Sequence, residues 1–180
     1  MRLAGAVAAL ALAARIQFPL PGTPVPQSLQ TLAVVLAGAF LGPRLGALAL
    51  GAYLTLGAAG LPLFARGGAG VSTLLGPTGG FLLGFVPAAV AAGLWMEAGW
   101  GRRLPGAALG MLVAHGVVLA VGWGRLALLL GVEAAFRQGV APFLAGAVVK
   151  SLAAAGVLHA VTGLRSQAPA PPYPPPGGIP

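Results

Sequence analysis

From Leu104 to Val121 the chain passes eighteen residues without a charged side chain, and the stretches Gly79 to Met96 and Leu45 to Gly60 are equally free of charge. Backbone laid in lipid must satisfy its own N–H and C=O groups, and a helix does so within one segment. Runs of roughly this length are what a hydrocarbon core about 30 Å thick demands, since a span needs about 20 mostly apolar residues. The rest of the chain agrees: 58% of its 180 residues are hydrophobic and 7% are charged, with a mean hydropathy of +0.94. These values point to an integral membrane protein.

Six segments read as spans, so the expected fold is an all-α membrane protein of six transmembrane helices. The first runs from Leu3 to Phe18; its apolar start resembles the core of a signal peptide, but it is read as a retained span. After the Pro-rich stretch Pro19 to Thr31, the second span continues to about Leu41, and Gly42-Pro43-Arg44 makes a sharp turn into the third, Leu45 to Gly60. The fourth is Gly79 to Met96, with Pro87 as its expected kink. The fifth is Leu104 to Val121 and the sixth Val140 to Leu164; between them, Gly122 to Gly139 has room for a short interfacial helix. Residues 1–165 form one membrane domain, and the Pro-rich segment 166–180 reads as a disordered tail. The paired Arg102 and Arg103 in one short turn favour both termini on the cytoplasmic side.

Three features stand out from this oily background. Gly60 to Phe81 interrupts it with glycines, two prolines and Arg66, a composition suited to non-helical backbone that covers a pocket or links two spans. On the first span Ala4, Gly5, Ala8 and Ala9 form a smooth face on which another helix could pack closely. Lys150, the only lysine, lies inside the sixth span. A charge at a helix centre costs about 2.5–3.5 kcal/mol on insertion scales, so it faces a partner or a cavity. Glu133 could fold over and pair with it, its stem could snorkel to an interface, or an anionic ligand could bring the counter-charge.

Much chemistry is excluded. Ten basic residues face only two acids, Glu97 and Glu133, but they are scattered between apolar runs rather than gathered into a nucleic-acid-binding stripe. Cysteine and aspartate are absent, which removes disulfides, thiol catalysis, Ser-His-Asp triads and aspartyl phosphates. No phosphate loop occurs, and His115 and His159 fall at no metal-ligand spacing. The chain reads as a binder rather than an enzyme, with neither cofactor nor metal of its own.

Five short motifs in series, Pro19-Leu-Pro-Gly-Thr-Pro-Val-Pro-Gln-Ser-Leu-Gln-Thr-Leu, Leu41-Gly-Pro-Arg-Leu-Gly, Gly60-Leu-Pro-Leu-Phe, Leu75-Gly-Pro-Thr-Gly-Gly-Phe-Leu-Leu-Gly-Phe and Pro142-Phe-Leu-Ala-Gly-Ala-Val-Val-Lys, resemble the BioY family of biotin-specific substrate-binding (S) components of energy-coupling-factor transporters. The resemblance covers about residues 4–164. It implies a biotin pocket near the outer face of the plasma membrane, roofed by the loops after the first and third spans. Lys150, Ala147 and the stretch Gly76, Pro77, Thr78, Gly79 and Gly80 would face the ligand. It also implies that Ala4, Gly5, Ala8 and Ala9 dock a transmembrane coupling protein driven by two ATPase subunits, which alone would use ATP. One departure matters: where the family has Pro-Gly-Asp before its lysine, this chain has Ala145-Gly146-Ala147. The missing acid would have been a ligand contact, a neutralising partner for Lys150, or both. Its loss is compatible with an S component for another small anionic vitamin or precursor, and a structural membrane protein without a ligand is the reading from a different class.

Overall fold

At Gly42 (φ 80°, ψ 172°) the chain leaves helical geometry and doubles back, as the Gly-Pro-Arg sequence predicts. Helix α2 (Gln30–Ala58) is therefore a hairpin of two arms, 30–41 and 43–58, closed at its far end by a hydrogen bond between Gln30 and Tyr53. A left-handed turn of this kind favours glycine, and Pro43 then starts the second arm with its φ already set. The computed structural model describes residues 2–18, 20 and 22–166, so the expectation of a disordered tail over 166–180 falls outside the described residues except at Ser166, which ends the last helix.

Before the hairpin comes α1 (Arg2–Arg15), followed by a small antiparallel ribbon, β1 (Gln17–Phe18) against β2 (Gln27–Ser28), in register Gln17 with Ser28. The ribbon is a departure from a purely helical reading; it gives the Pro-rich loop backbone partners that proline itself cannot supply. After the hairpin, the glycine-rich stretch is not simply loop. It holds a 3-10 turn at Ala65–Gly67 and a short helix α3 (Gly70–Leu75). The fourth expected span is split into α4 (Gly79–Leu83) and α5 (Phe85–Glu97). The break falls at Gly84, three residues before Pro87, because the proline ring can neither donate to nor clear the Leu83 carbonyl one turn earlier.

The fifth helix corrects the sequence reading. Helix α6 runs from Leu104 to Leu130, nine residues past the expected end at Val121. Arg125, in the connection expected between Gly122 and Gly139, instead stays on this helix and donates a 2.6 Å hydrogen bond to the Leu75 carbonyl at the end of α3. The surface helix expected between the last two spans is present as α7 (Val132–Gly139), joined by a 3-10 turn at Ala141–Phe143 to α8 (Leu144–Ser166). Among the described residues, four stretches are long and apolar enough to cross a membrane, namely Gln30–Ala58, Gly79–Glu97, Leu104–Leu130 and Val132–Gly163. With the first of these doubled at Gly42 and α1 alongside, each of the six expected segments contains a helix, although the first ends at Arg15 rather than at the expected Phe18, which lies in β1.

Small residues let these helices approach. A Cβ at Gly38 would collide with the Ala89 carbonyl, and one at Gly93 would collide with the backbone of Gly42 and Pro43. Helix α5 thus lies directly on the hairpin backbone. On its other side Trp95 covers Gly110 of α6 and donates to the Gly106 carbonyl at 2.9 Å. Lipid provides no hydrophobic drive between helices, so close packing and interhelical hydrogen bonds hold such an assembly together.

Candidate ligand-binding site

The end of the bundle opposite the Gly42 turn encloses a cavity of about 190 Å³. Its walls come from both long connections as well as from the helices. Pro24, Val25, Pro26 and Ser28 contribute from the segment after α1, and Phe64, Ala65, Arg66 and Thr73 from the stretch after the hairpin. Helices α4 to α6 and α8 supply Phe81, Phe85, Val118, Ala147 and Lys150, among others. Among the described residues the lining is mainly apolar, with two cationic side chains, Arg66 and Lys150, besides His115, and no acidic one.

Lys150 is the deeper of the two basic residues. Its Nζ donates to Thr31 Oγ1 at 2.6 Å and to the Ser28 carbonyl at 3.2 Å, joining α8 to the start of α2. Glu133 does not pair with it: that carboxylate accepts from Arg137 at 2.5 Å, one helical turn along α7, with both side chains largely exposed. The pairing of Lys150 with Glu133 considered from the sequence is therefore wrong, because an i, i+4 partner on the same surface helix is nearer and needs no desolvation. An ammonium group has three N–H donors, and the two protein partners take two. The other basic residue, Arg66, is exposed on the wall that faces outward. Its φ of 58° is left-handed, which is uncommon for a residue with a side chain.

A buried polar chain braces these walls. Gln30 Nε2 donates to Tyr53 Oη at 2.5 Å, and Tyr53 donates in turn to the Leu63 carbonyl at 2.7 Å. Ser28 Oγ donates to Gln30 Oε1 at 3.2 Å. The Tyr53 ring also meets Phe64 edge-on, with centroids 5.6 Å apart. The segment carrying the Lys150 acceptors is thus tied through the hairpin to the segment carrying Phe64 and Arg66.

The residues singled out from the sequence are distributed unevenly. Lys150, Ala147 and Thr78 line the cavity, whereas Gly76, Pro77, Gly79 and Gly80 are not among its walls. Gly79 lies against the Leu74 backbone, and Gly80 lies against Val121 and Arg125 of α6. Those glycines bring α4 close enough for Thr78, Phe81 and Leu82 to reach the cavity. Ala4, Gly5, Ala8 and Ala9 are all exposed on α1, away from the bundle. Ser28, Gln30, Thr31, Tyr53, Phe64 and His115 went unrecognised as site residues. A cluster of polar side chains just where an apolar span begins, Gln27 to Thr31, was the available signal.

A profile of the BioY family matches residues 1–167. Among curated proteins, the chain is 40% identical over 141 residues to the probable biotin transporter BioY of Pyrococcus horikoshii, covering 78% of this chain and 82% of that one. It is 36% identical to the biotin transporter BioY of Rhodobacter capsulatus, over 92% of this chain and 94% of the other. Among solved structures, the S-component for biotin from an ECF-type ABC transporter superposes with a TM-score of 0.80 at 23% identity, covering 92% of this chain and 89% of that chain.

Proposed function

This chain belongs to the BioY family, and we propose that it binds biotin at the membrane as the substrate-binding subunit of an energy-coupling-factor transporter. The observation that carries this reading is the cavity itself: an apolar chamber with Lys150 and Arg66 in its walls and no acid among the described residues that line it. Biotin offers matching chemistry, a carboxylate on an apolar chain attached to a compact ring system with a cyclic urea. Lys150 donates its remaining N–H to the ligand carboxylate, so that the charge left uncompensated by the protein is compensated by the substrate. Gly76, Pro77, Gly79 and Gly80 serve by positioning Thr78 and the adjoining aromatic wall. The two long connections close over the bound molecule.

Transport requires partners. The small exposed residues Ala4, Gly5, Ala8 and Ala9 of α1 suit close docking of a transmembrane coupling protein, whose two ATPase subunits supply the energy.

A second assignment of the ligand's ends is favoured by Arg66, which lines the exposed side of the cavity. In it Arg66 takes the carboxylate and Lys150 the ureido oxygen. Equilibrium binding of labelled biotin to the purified chain tests the main proposal, with lipoate, an anionic sulfur-ring acid lacking the urea, as competitor. Saturable biotin binding that lipoate does not displace is expected; no binding at saturating biotin would sink it. Biotin methyl ester separates the two assignments: loss of its binding advantage over a blank in Lys150→Met, but not in Arg66→Ala, identifies Lys150 as the partner of the ureido oxygen.

A further inference from the structure

His115 stands in the middle of α6, 2% exposed, and forms part of the cavity wall. Its ring is held from one side only. Nδ1 lies 2.9 Å from the Met111 carbonyl oxygen and 3.0 Å from Ser151 Oγ on α8. A carbonyl can only accept, so Nδ1 carries the ring proton and donates it. Ser151 uses its own hydroxyl proton on the Ala147 carbonyl, 2.7 Å away, and therefore faces His115 as an acceptor. The tautomer is thereby set, because in a neutral imidazole with Nδ1 protonated, Nε2 is a bare acceptor.

That acceptor is buried and has no hydrogen-bond partner among the described residues. Buried polar atoms are rarely left so, and an orphan beside a cavity calls for an explanation in terms of what enters the cavity. Lys150 and Arg66 are donors only and suit ligand oxygens. At Ala147, one turn from Ser151, the side chain is a methyl group and accepts nothing. A ligand with N–H groups must find its acceptor elsewhere.

We propose that His115 Nε2 accepts a hydrogen bond from a ureido N–H of biotin and so selects for the cyclic urea. The inference deepens the biotin reading and rests on it. It holds whichever ligand oxygen Lys150 meets.

The test is equilibrium binding of biotin to the purified full chain and to His115→Leu and His115→Gln, alongside a biotin methylated at both ureido nitrogens. His115→Leu should bind biotin about 5- to 100-fold more weakly, the range for one buried hydrogen bond. His115→Gln, whose side-chain oxygen can stand near the place of Nε2, should recover most of the loss. The methylated analogue should bind the parent and His115→Leu alike. A role confined to linking α6 with α8 would alter thermal stability without this dependence on the ureido N–H. If the parent binds biotin and His115→Leu binds it equally well, the proposal is overturned while the biotin reading stands; if the parent binds no biotin, both fall. Should His115→Leu not fold, nitrogen-15 NMR of the parent decides, since the unprotonated Nε2 resonance must move when biotin is added, and a resonance that stays in place overturns the proposal.

Discussion

Replacing Lys150 with methionine separates the two contributions that this side chain makes, one to the fold and one to the ligand. Methionine has similar length and no charge. Its introduction removes an ammonium group whose presence at a helix centre costs about 2.5–3.5 kcal/mol on insertion scales. It also deprives Thr31 Oγ1 and the Ser28 carbonyl of their donor, and each buried group left unmade costs about 1–3 kcal/mol. These effects oppose one another and are of similar size, so Lys150→Met should fold with little change in melting temperature. Binding has no such offset. A charge-assisted pairing in a desolvated site is worth about 2–5 kcal/mol, or about 30-fold to several thousand-fold in affinity. Calorimetric titration with biotin, paired with a thermal melt followed by circular dichroism, reads both quantities on one sample. If Lys150→Met folds and binds biotin as tightly as the parent does, the lysine does not hold the ligand.

The remaining expectations use the same assays. Glu133→Gln should shift stability by no more than about 0.5 kcal/mol, the range for an exposed i, i+4 pair, and should leave biotin affinity unchanged; a marked loss of folding would restore a hidden role for this acid. Ala147→Asp places a carboxylate in the cavity wall beside Lys150 and should tighten biotin binding, whereas weaker binding would mean that the site is built around a different ligand. Tyr53→Phe strips the hydroxyl between Gln30 and Leu63 and should cost about 1–3 kcal/mol, with faster hydrogen exchange over residues 60–69; unchanged exchange there would show that the brace is not what holds that segment. Gly38→Ala, whose new methyl would meet the Ala89 carbonyl, should destabilise by about 1–3 kcal/mol, while Gly51→Ala, with nothing within 4 Å, should not; equal melting temperatures for the two would refute the close approach of α5 to the hairpin. Tryptophan at both Ala4 and Ala8 should leave biotin binding to the isolated chain intact and abolish uptake in cells that carry a coupling module, and loss of binding by the isolated chain would instead place that face in the fold itself.

Hydropathy and turn chemistry are local properties, and what depends on them was legible in the chain alone. The apolar runs located the six helical segments, Gly42-Pro43 marked the hairpin turn, and Pro87 announced a break that appears at Gly84. Lys150 could be recognised as a residue in need of a partner, because the cost of charge in lipid depends only on where the residue stands in its own span. Its actual partners could not, since Ser28 and Thr31 are 122 and 119 positions away and meet it only once α8 packs beside the start of α2. The same holds for the end of α6, which Arg125 extends by reaching a carbonyl 50 residues earlier. In the sequence His115 is a histidine inside an apolar run at no metal-ligand spacing. Only the packed structure, by engaging Nδ1 with Met111 and Ser151 and leaving Nε2 buried without a partner among the described residues, decided which nitrogen is spent within the protein.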